Sequence, residues 1–312
     1  VTAARARRRG GCGRTVGLLA GLAVLFALAL GALWYLRSRT PAPAVASAVA
    51  DAPPATAVPS PTVAAPPAAT PRPSSVPSDF EPARGSGQGA IAVVIDDVGN
   101  ADGSLERLAR LDGPLAIAVL PGAPRAREAA ALAKRKGWDL LVHLPMEGAR
   151  GPAEPETISS GDEDAEIARR VAAAIDRVPG ASGLNNHQGS LATADRRVVR
   201  AVLSVVRERG LFFLDSRTSA ASVAAEEARA LGLATIPRDV FLDDARAEAA
   251  AEGGAPEALA AAWSRSLALA ASKGHAVVIG HPSASTVDFL AASLPGLEGR
   301  GVLRVKVSEL VD

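Results

Sequence analysis

Eight short runs of consecutive apolar residues, each closed by polar or charged ones, constrain the fold of this chain more than any other feature. They are AIAVVIDD (90–97), LAIAVLP (115–121), WDLLVHLP (138–145), SGLNNH (182–187), LFFLDS (211–216), ATIPRDVFLD (234–243), HAVVIGHP (275–282) and VLRVKVS (302–308). Runs without polar alternation read as strands covered on both faces, and therefore parallel. Parallel strands need crossover connections, and the intervening segments read as amphipathic helices. Ser160 and Glu163 have the spacing of a capping box, after which Ile167, Val171, Ile175 and Val178 fall near one face. Thr193 is placed to cap the next helix, with Val198, Val202, Val205 and Val206 inward and Gly210 at its end, and Pro256 opens a third that runs to Gly274. Repeated βα units of this kind form either a barrel or an open doubly wound sheet.

The polar residues closing these runs carry the functional reading. Asp96, Asp97, His143, Asn185, Asn186, His187, Asp215, Arg217, Arg238, Asp239 and His281 all fall at or just beyond the C-terminal end of an expected strand. In a parallel barrel those ends share one rim, where active sites are built. Asp96 and Asp97 leave a regular strand in opposite directions, so one suits a metal ligand and the other a base. Three of the four histidines, His143, His187 and His281, end strands, and the mixture with carboxylates suits zinc or another divalent transition ion. Asp215 and Arg238 join the expected catalytic set, and Asn185, Asn186, Arg217 and Asp239 the expected substrate contacts, with rim scaffolding as the alternative role for the arginine–carboxylate pairs. The domain has no G-x-S-x-G elbow, no cysteine nucleophile, no Walker loop and no G-x-G-x-x-G after its first strand, so acyl-enzyme chemistry and nucleotide binding lack support.

Composition separates this domain, residues 89–312, from what precedes it. Residues 1–40 hold seven arginines and no acid; of 34 basic side chains in all, 27 remain against 33 acidic ones, and a mildly acidic body excludes nucleic acid as an expected partner. A basic N-terminus (1–15) leads into the uncharged run 16–36, VGLLAGLAVLFALALGALWYL, which is long enough to span a bilayer. Five arginines before it and two after predict a single-pass anchor with the N-terminus in the cytoplasm and Trp34 and Tyr35 in the outer interface. A cleaved signal peptide is the rival reading. Residues 37–88 alternate alanine and proline and predict a disordered, extended spacer without a core. These features place the C-terminal domain outside the cytoplasm, at a cell inner membrane facing the periplasm. The only cysteine, Cys12, lies on the cytoplasmic side, so the exported part needs no disulfide.

Taken in order, IDDVGN, HLPMEG, NNHQGS, FLDSRT, RDVFLDD and IGHP resemble the divergent polysaccharide deacetylases, relatives of the NodB-type carbohydrate esterases. The resemblance spans about Ala90 to Asp312. It implies a NodB-like (β/α) barrel, typically of seven strands, and a metal-dependent hydrolase acting on N-acetylated envelope carbohydrate. It also implies Asp96 as base, Asp97 and His143 as metal ligands and His281 as the acid that protonates the leaving amine. Where the better-known deacetylases have the second histidine of an HxxxH motif this chain has Glu147, which leaves Glu147 or His187 as third ligand; the glycine and amides around His187 favour the latter. The altered histidine motif and the absence of tyrosine from the domain leave a non-catalytic glycan-binding or envelope-scaffolding module as the alternative function, while scarce aromatic residues weaken a sugar platform.

Overall fold

A computed structural model describes residues 89–100, 103–149, 154–244 and 254–311. The expected basic segment, apolar span and spacer, 1–88, lie outside the described residues, and among the latter no helix is long and apolar enough to cross a membrane. The strands are β1 (Gly89–Val98), β2 (Ala116–Val119), β3 (Asp139–Met146), β4 (Gly183–Gln188), β5 (Phe212–Asp215), β6 (Thr235–Pro237), β7 (Val240–Phe241), β8 (His275–Gly280) and β9 (Val302–Arg304). Every pairing among them is parallel, in the order β6-β5-β4-β3-β2-β1-β8-β7 with β9 also on β1. Helices α1 (Ser104–Leu108), α2 (Ala126–Lys136), α3 (Asp164–Arg177), α4 (Arg196–Glu208), α5 (Ala224–Ala230), α6 (Ala255–Lys273) and α7 (Ala284–Ser293) fall between or after strands.

The run 234–243, expected as one strand, is two. β6 pairs with β5 and β7 with β8, at opposite ends of the sheet. The change happens within one residue: Arg238 N–H donates to Asp215 O and Asp239 N–H to Val277 O, each at 2.9 Å. The chain itself thereby joins the two edges of the curled sheet. Among the described residues the eight runs thus give nine strands, where the resemblance implies seven, and 302–308 supplies a strand only to Arg304 before a 3₁₀ turn at Val307–Glu309.

Alternate residues of each strand sort into two cores. Ile91, Val93 and Ile95 of β1 pack outward against the helices, together with Val142, Leu144, Leu184 and Phe213. Ala90, Ala92 and Val94 face inward with Ala116, Ala118, Leu141, Phe212, Leu214, Val277 and Ile279, and Val305 and Val307 join this inner cluster. Alanine on β1 and β2 leaves room for the Phe212 ring, which lies over Gly183 so closely that a Cβ there would come within 2.5 Å of it. Asp139 accepts hydrogen bonds from Ser308 N and Oγ, which pins the C-terminal tail against β3.

Two helix starts differ from expectation. Helix α3 begins after Glu163, and Ser160 gives its hydroxyl to Glu147 instead of capping. Asp195, not Thr193, caps α4, accepting from Arg197 N and Val198 N, while Thr193 bonds Gly189 O. The apolar faces expected on both helices are buried as read.

Candidate metal centre

Inward parity decides which polar residues meet. Asp96 continues the series Ala90, Ala92, Val94; His143 follows Leu141; Asn185 and His187 follow Gly183; and His281 follows Val277 and Ile279. All reach the C-terminal mouth of the barrel. Asp97 has outward parity in a regular strand, yet its carboxylate stands beside His143. The register of β1 against β2 slips between Ile95 and Val98, and Asp97 has φ 57°, in the left-handed region disfavoured for a side chain with a Cβ. This bulge brings both carboxylates to one site, a correction to their expected divergence. Gln188 (φ 53°) and Arg217 (φ 46°) show the same strained backbone at neighbouring strand ends, as functional sites often do.

Asp97 Oδ1, His143 Nε2 and His187 Nδ1 form a nearly equilateral triangle, with edges of 3.1 Å (Asp97–His143), 2.9 Å (Asp97–His187) and 3.1 Å (His143–His187). Three donors so spaced can each lie about 2.0–2.2 Å from one divalent ion. Asp97 Oδ1 is buried, and no N–H is aimed at it well enough to make a hydrogen bond. A buried anionic oxygen without a donor, facing two ring nitrogens, is the donor set a borderline cation takes. Burial opposes charge on Asp97, but the two imidazoles outweigh it and hold the carboxyl far below its usual range. Glu147 does not take part: its Oε2 accepts from Ser159 Oγ, Ser160 N and Ser160 Oγ, so His187 completes the triangle.

The orientation of His143 is set from below. Asn185 Nδ2 donates to Asp96 Oδ1 (2.9 Å) and Ser216 Oγ (3.1 Å), which turns its Oδ1 toward His143 Nδ1 at 2.8 Å. His143 Nδ1 must then carry a proton, and in the neutral ring Nε2 presents its lone pair to the triangle. Asn185 and Asn186 are fully buried, so neither is the surface contact expected; Asn186 accepts from Ser216 N and donates to Gln188 O. Asp96 lies 3.7 Å from His143 Nε2, and burial pushes its carboxyl up against the opposing pull of His143 and His281.

Across the mouth, His281 Nδ1 meets Asp243 Oδ1 at 2.9 Å, and its Nε2 is 3.8 Å from Asp97 Oδ2. Burial opposes protonation of His281, but Asp243 outweighs it and pushes the imidazole up to about 9. Asp243, which also accepts from His281 N and Thr286 Oγ1, is a site residue that reading 234–243 as one strand conceals. Glu154, 3.1 Å from His187 Nε2, is a second, hidden in a segment with no periodic pattern.

Three expected residues serve the scaffold. Asp215 has the outward parity of Phe213 and accepts from Arg217 N, Ser222 Oγ and Ala225 N, which fixes the loop after β5; it is not at the mouth. Asp239 fastens the seam, bonding Lys273 Nζ and Val277 N, at the N-terminal end of β8, away from His281 beyond its C-terminal end. Arg238 donates to Ser216 O and Arg217 O and stacks 3.6 Å over the Phe241 ring; burial brings its guanidinium down to about 10. Of the expected substrate contacts only Arg217 has an exposed side chain.

A curled parallel sheet with an Asp/His/His cluster and a second Asp at its C-terminal mouth defines a class of parallel (β/α) barrels that carry a candidate metal site at their strand ends. Residues 93–311 match the family model described as divergent polysaccharide deacetylase, and the chain belongs to that family. It is 33% identical over 225 residues to the uncharacterized YibQ of Escherichia coli K12, covering 72% of this chain and 68% of YibQ. A Haemophilus influenzae Rd protein, also uncharacterized, is 35% identical over 214 residues, covering 67% of this chain and 72% of its own length. Among solved structures, the uncharacterized ATU2773 of Agrobacterium tumefaciens C58 shares the fold with a TM-score of 0.66 at 21% identity, covering 72% of this chain and 89% of that one.

Proposed function

We propose that the protein is a metal-dependent hydrolase that removes acetyl groups from an N-acetylated envelope carbohydrate. The observation that carries this reading is the triangle of Asp97, His143 and His187 with Asp96 on one side and His281 on the other. Asp97, His143 and His187 would hold the ion, zinc being the cation this donor set suits best. When bound, it supplies a Lewis acid for the acyl oxygen and lowers the pKa of a water. Asp96, its carboxyl raised by burial, is a stronger base than an exposed aspartate and accepts the proton of the attacking water. His281, kept protonated near neutral pH by Asp243, gives its proton to the nitrogen as the C–N bond breaks. Asp96 and His281 thereby take the base and acid roles according to their environments.

The test is zinc analysis of the purified chain and acetate release from chitin oligomers and peptidoglycan fragments. Asp97→Ala is expected to abolish both, and full zinc occupancy in that variant contradicts the ligand assignment. Zinc bound by the wild type without acetate release would favour a different acyl or phosphoryl substrate, and neither would favour the glycan-binding module. The arginine-flanked apolar run 16–36 supports an inner-membrane anchor with the domain in the periplasm, checked by protease accessibility in spheroplasts.

A further inference from the structure

Resting on the metal centre proposed above, we infer that Glu154 is the positioning residue for His187, delivered to it by a return segment that Glu147 anchors. His187 faces the triangle through Nδ1, so its Nε2 points away from the other donors. Two side chains meet that Nε2. Glu154 Oε1 lies at 3.1 Å and Gln188 Nε2 at 3.4 Å. They ask for opposite tautomers: a carboxylate needs Nε2 to carry a proton, whereas an amide N–H needs it bare. The carboxylate is nearer, is charged and cannot act as a donor, while the Gln188 amide can turn its oxygen instead. A proton on Nε2 leaves the Nδ1 lone pair free for the cation, the arrangement in which a carboxylate orients a ligating imidazole.

The segment carrying Glu154 is built to hold still. Thr157 N and Oγ1 donate back to Glu154 O, Ile158 N donates to Pro145 O, and Glu147 N donates to Ile158 O, so the segment runs along the end of β3 like a short extra strand. Just beyond, the Glu147 carboxylate gathers Ser159 and Ser160. Glu147 occupies the position of the second histidine in the HxxxH motif of the better-known deacetylases. In this chain it anchors the loop that brings a carboxylate to the histidine on β4.

The test compares the full wild-type chain with Glu154→Ala and Glu154→Gln. Zinc affinity is measured by chelator competition, and the His187 Nε2–H is followed by nitrogen-edited NMR of the zinc-loaded protein. Glu154→Ala is expected to weaken zinc by about 10–100-fold and to lose the Nε2–H resonance to solvent exchange. Glu154→Gln, which keeps an acceptor of the same reach, restores most of the affinity and the resonance. Thermal unfolding of the metal-free proteins should coincide, because backbone bonds hold the segment. Equal zinc affinity in the wild type and Glu154→Ala overturns the role of Glu154 alone, as does a Gln variant no better than Ala. No zinc binding by the wild type overturns the metal centre and this inference with it.

Discussion

Asn185→Ala is the perturbation that most directly tests how the site is oriented. Asn185 has no exposed surface, and its amide bonds Asp96, Ser216 and His143. Truncation leaves a buried imidazole N–H without an acceptor, costing about 1–3 kcal/mol, and removes a hydrogen bond to a buried carboxylate worth about 1.5–3 kcal/mol. Because the Asp96 and Ser216 terms share one group they do not simply add, and a loss of about 3–5 kcal/mol is expected. For a domain of this size that lowers Tm by roughly 6–20 °C. Zinc affinity should fall as well, by about 10–100-fold, because His143 is free to rotate. Asn185→Asp separates the two effects. It keeps an oxygen for His143 Nδ1 and hence most of the zinc affinity, but sets a second carboxylate against Asp96. Such a pair favours sharing a proton, so this variant should gain stability relative to wild type as pH falls. Thermal melts at several pH values with parallel zinc titrations supply both readouts. An Ala variant within about 1 kcal/mol of the wild type, with unchanged zinc affinity, would refute the orienting role.

His281 should titrate near pH 9 in the metal-free protein, and Asp243→Asn should return it toward 6.5, as read by its ring resonances. Since folding raises the His281 pKa, the stability it contributes is complete below 6.5 and disappears as pH rises through about 9; Asp243→Asn should flatten that alkaline decline in thermal melts. Gly183→Ala should destabilise the domain by about 1–3 kcal/mol through collision with the Phe212 ring, and Phe212→Leu in the same chain should recover part of the loss in urea unfolding. Asp239→Ala, which unfastens Lys273 and Val277 at the seam, should lower Tm while leaving zinc affinity unchanged.

Much of the barrel was legible because parallel strands covered on both faces leave unbroken apolar runs, and β1, β3, β5 and β8 follow theirs closely. Asp97, His143, His187 and His281 could be assigned to one mouth because strand ends in a parallel barrel converge. Depth was not legible. Asn185 and Asp215 close strands in the same way as His187, and only parity and hydrogen bonding reveal that one lies beneath the site and the other faces the helices. Asp243 was hidden because Pro237 and the charged pair after it are the only sign in IPRDVFLD of a change of pairing partner. The spacing of Ser160 and Glu163 fits a cap, but tertiary contact with Glu147 takes the hydroxyl that the motif would use.

Strand β1 is flanked by β2 and β8 and lends its first residues to β9. Two of its three neighbours, β8 and β9, are therefore the last of the described strands in chain order. Contacts so distant in sequence are slow to form, and an unpaired strand edge invites association with other chains while it waits. Asp96 and Asp97 sit on that waiting strand and His281 follows β8, so the candidate site is assembled only once β8 has paired. A nascent or truncated domain lacking β8 and β9 accordingly has an incomplete candidate site and an exposed β1.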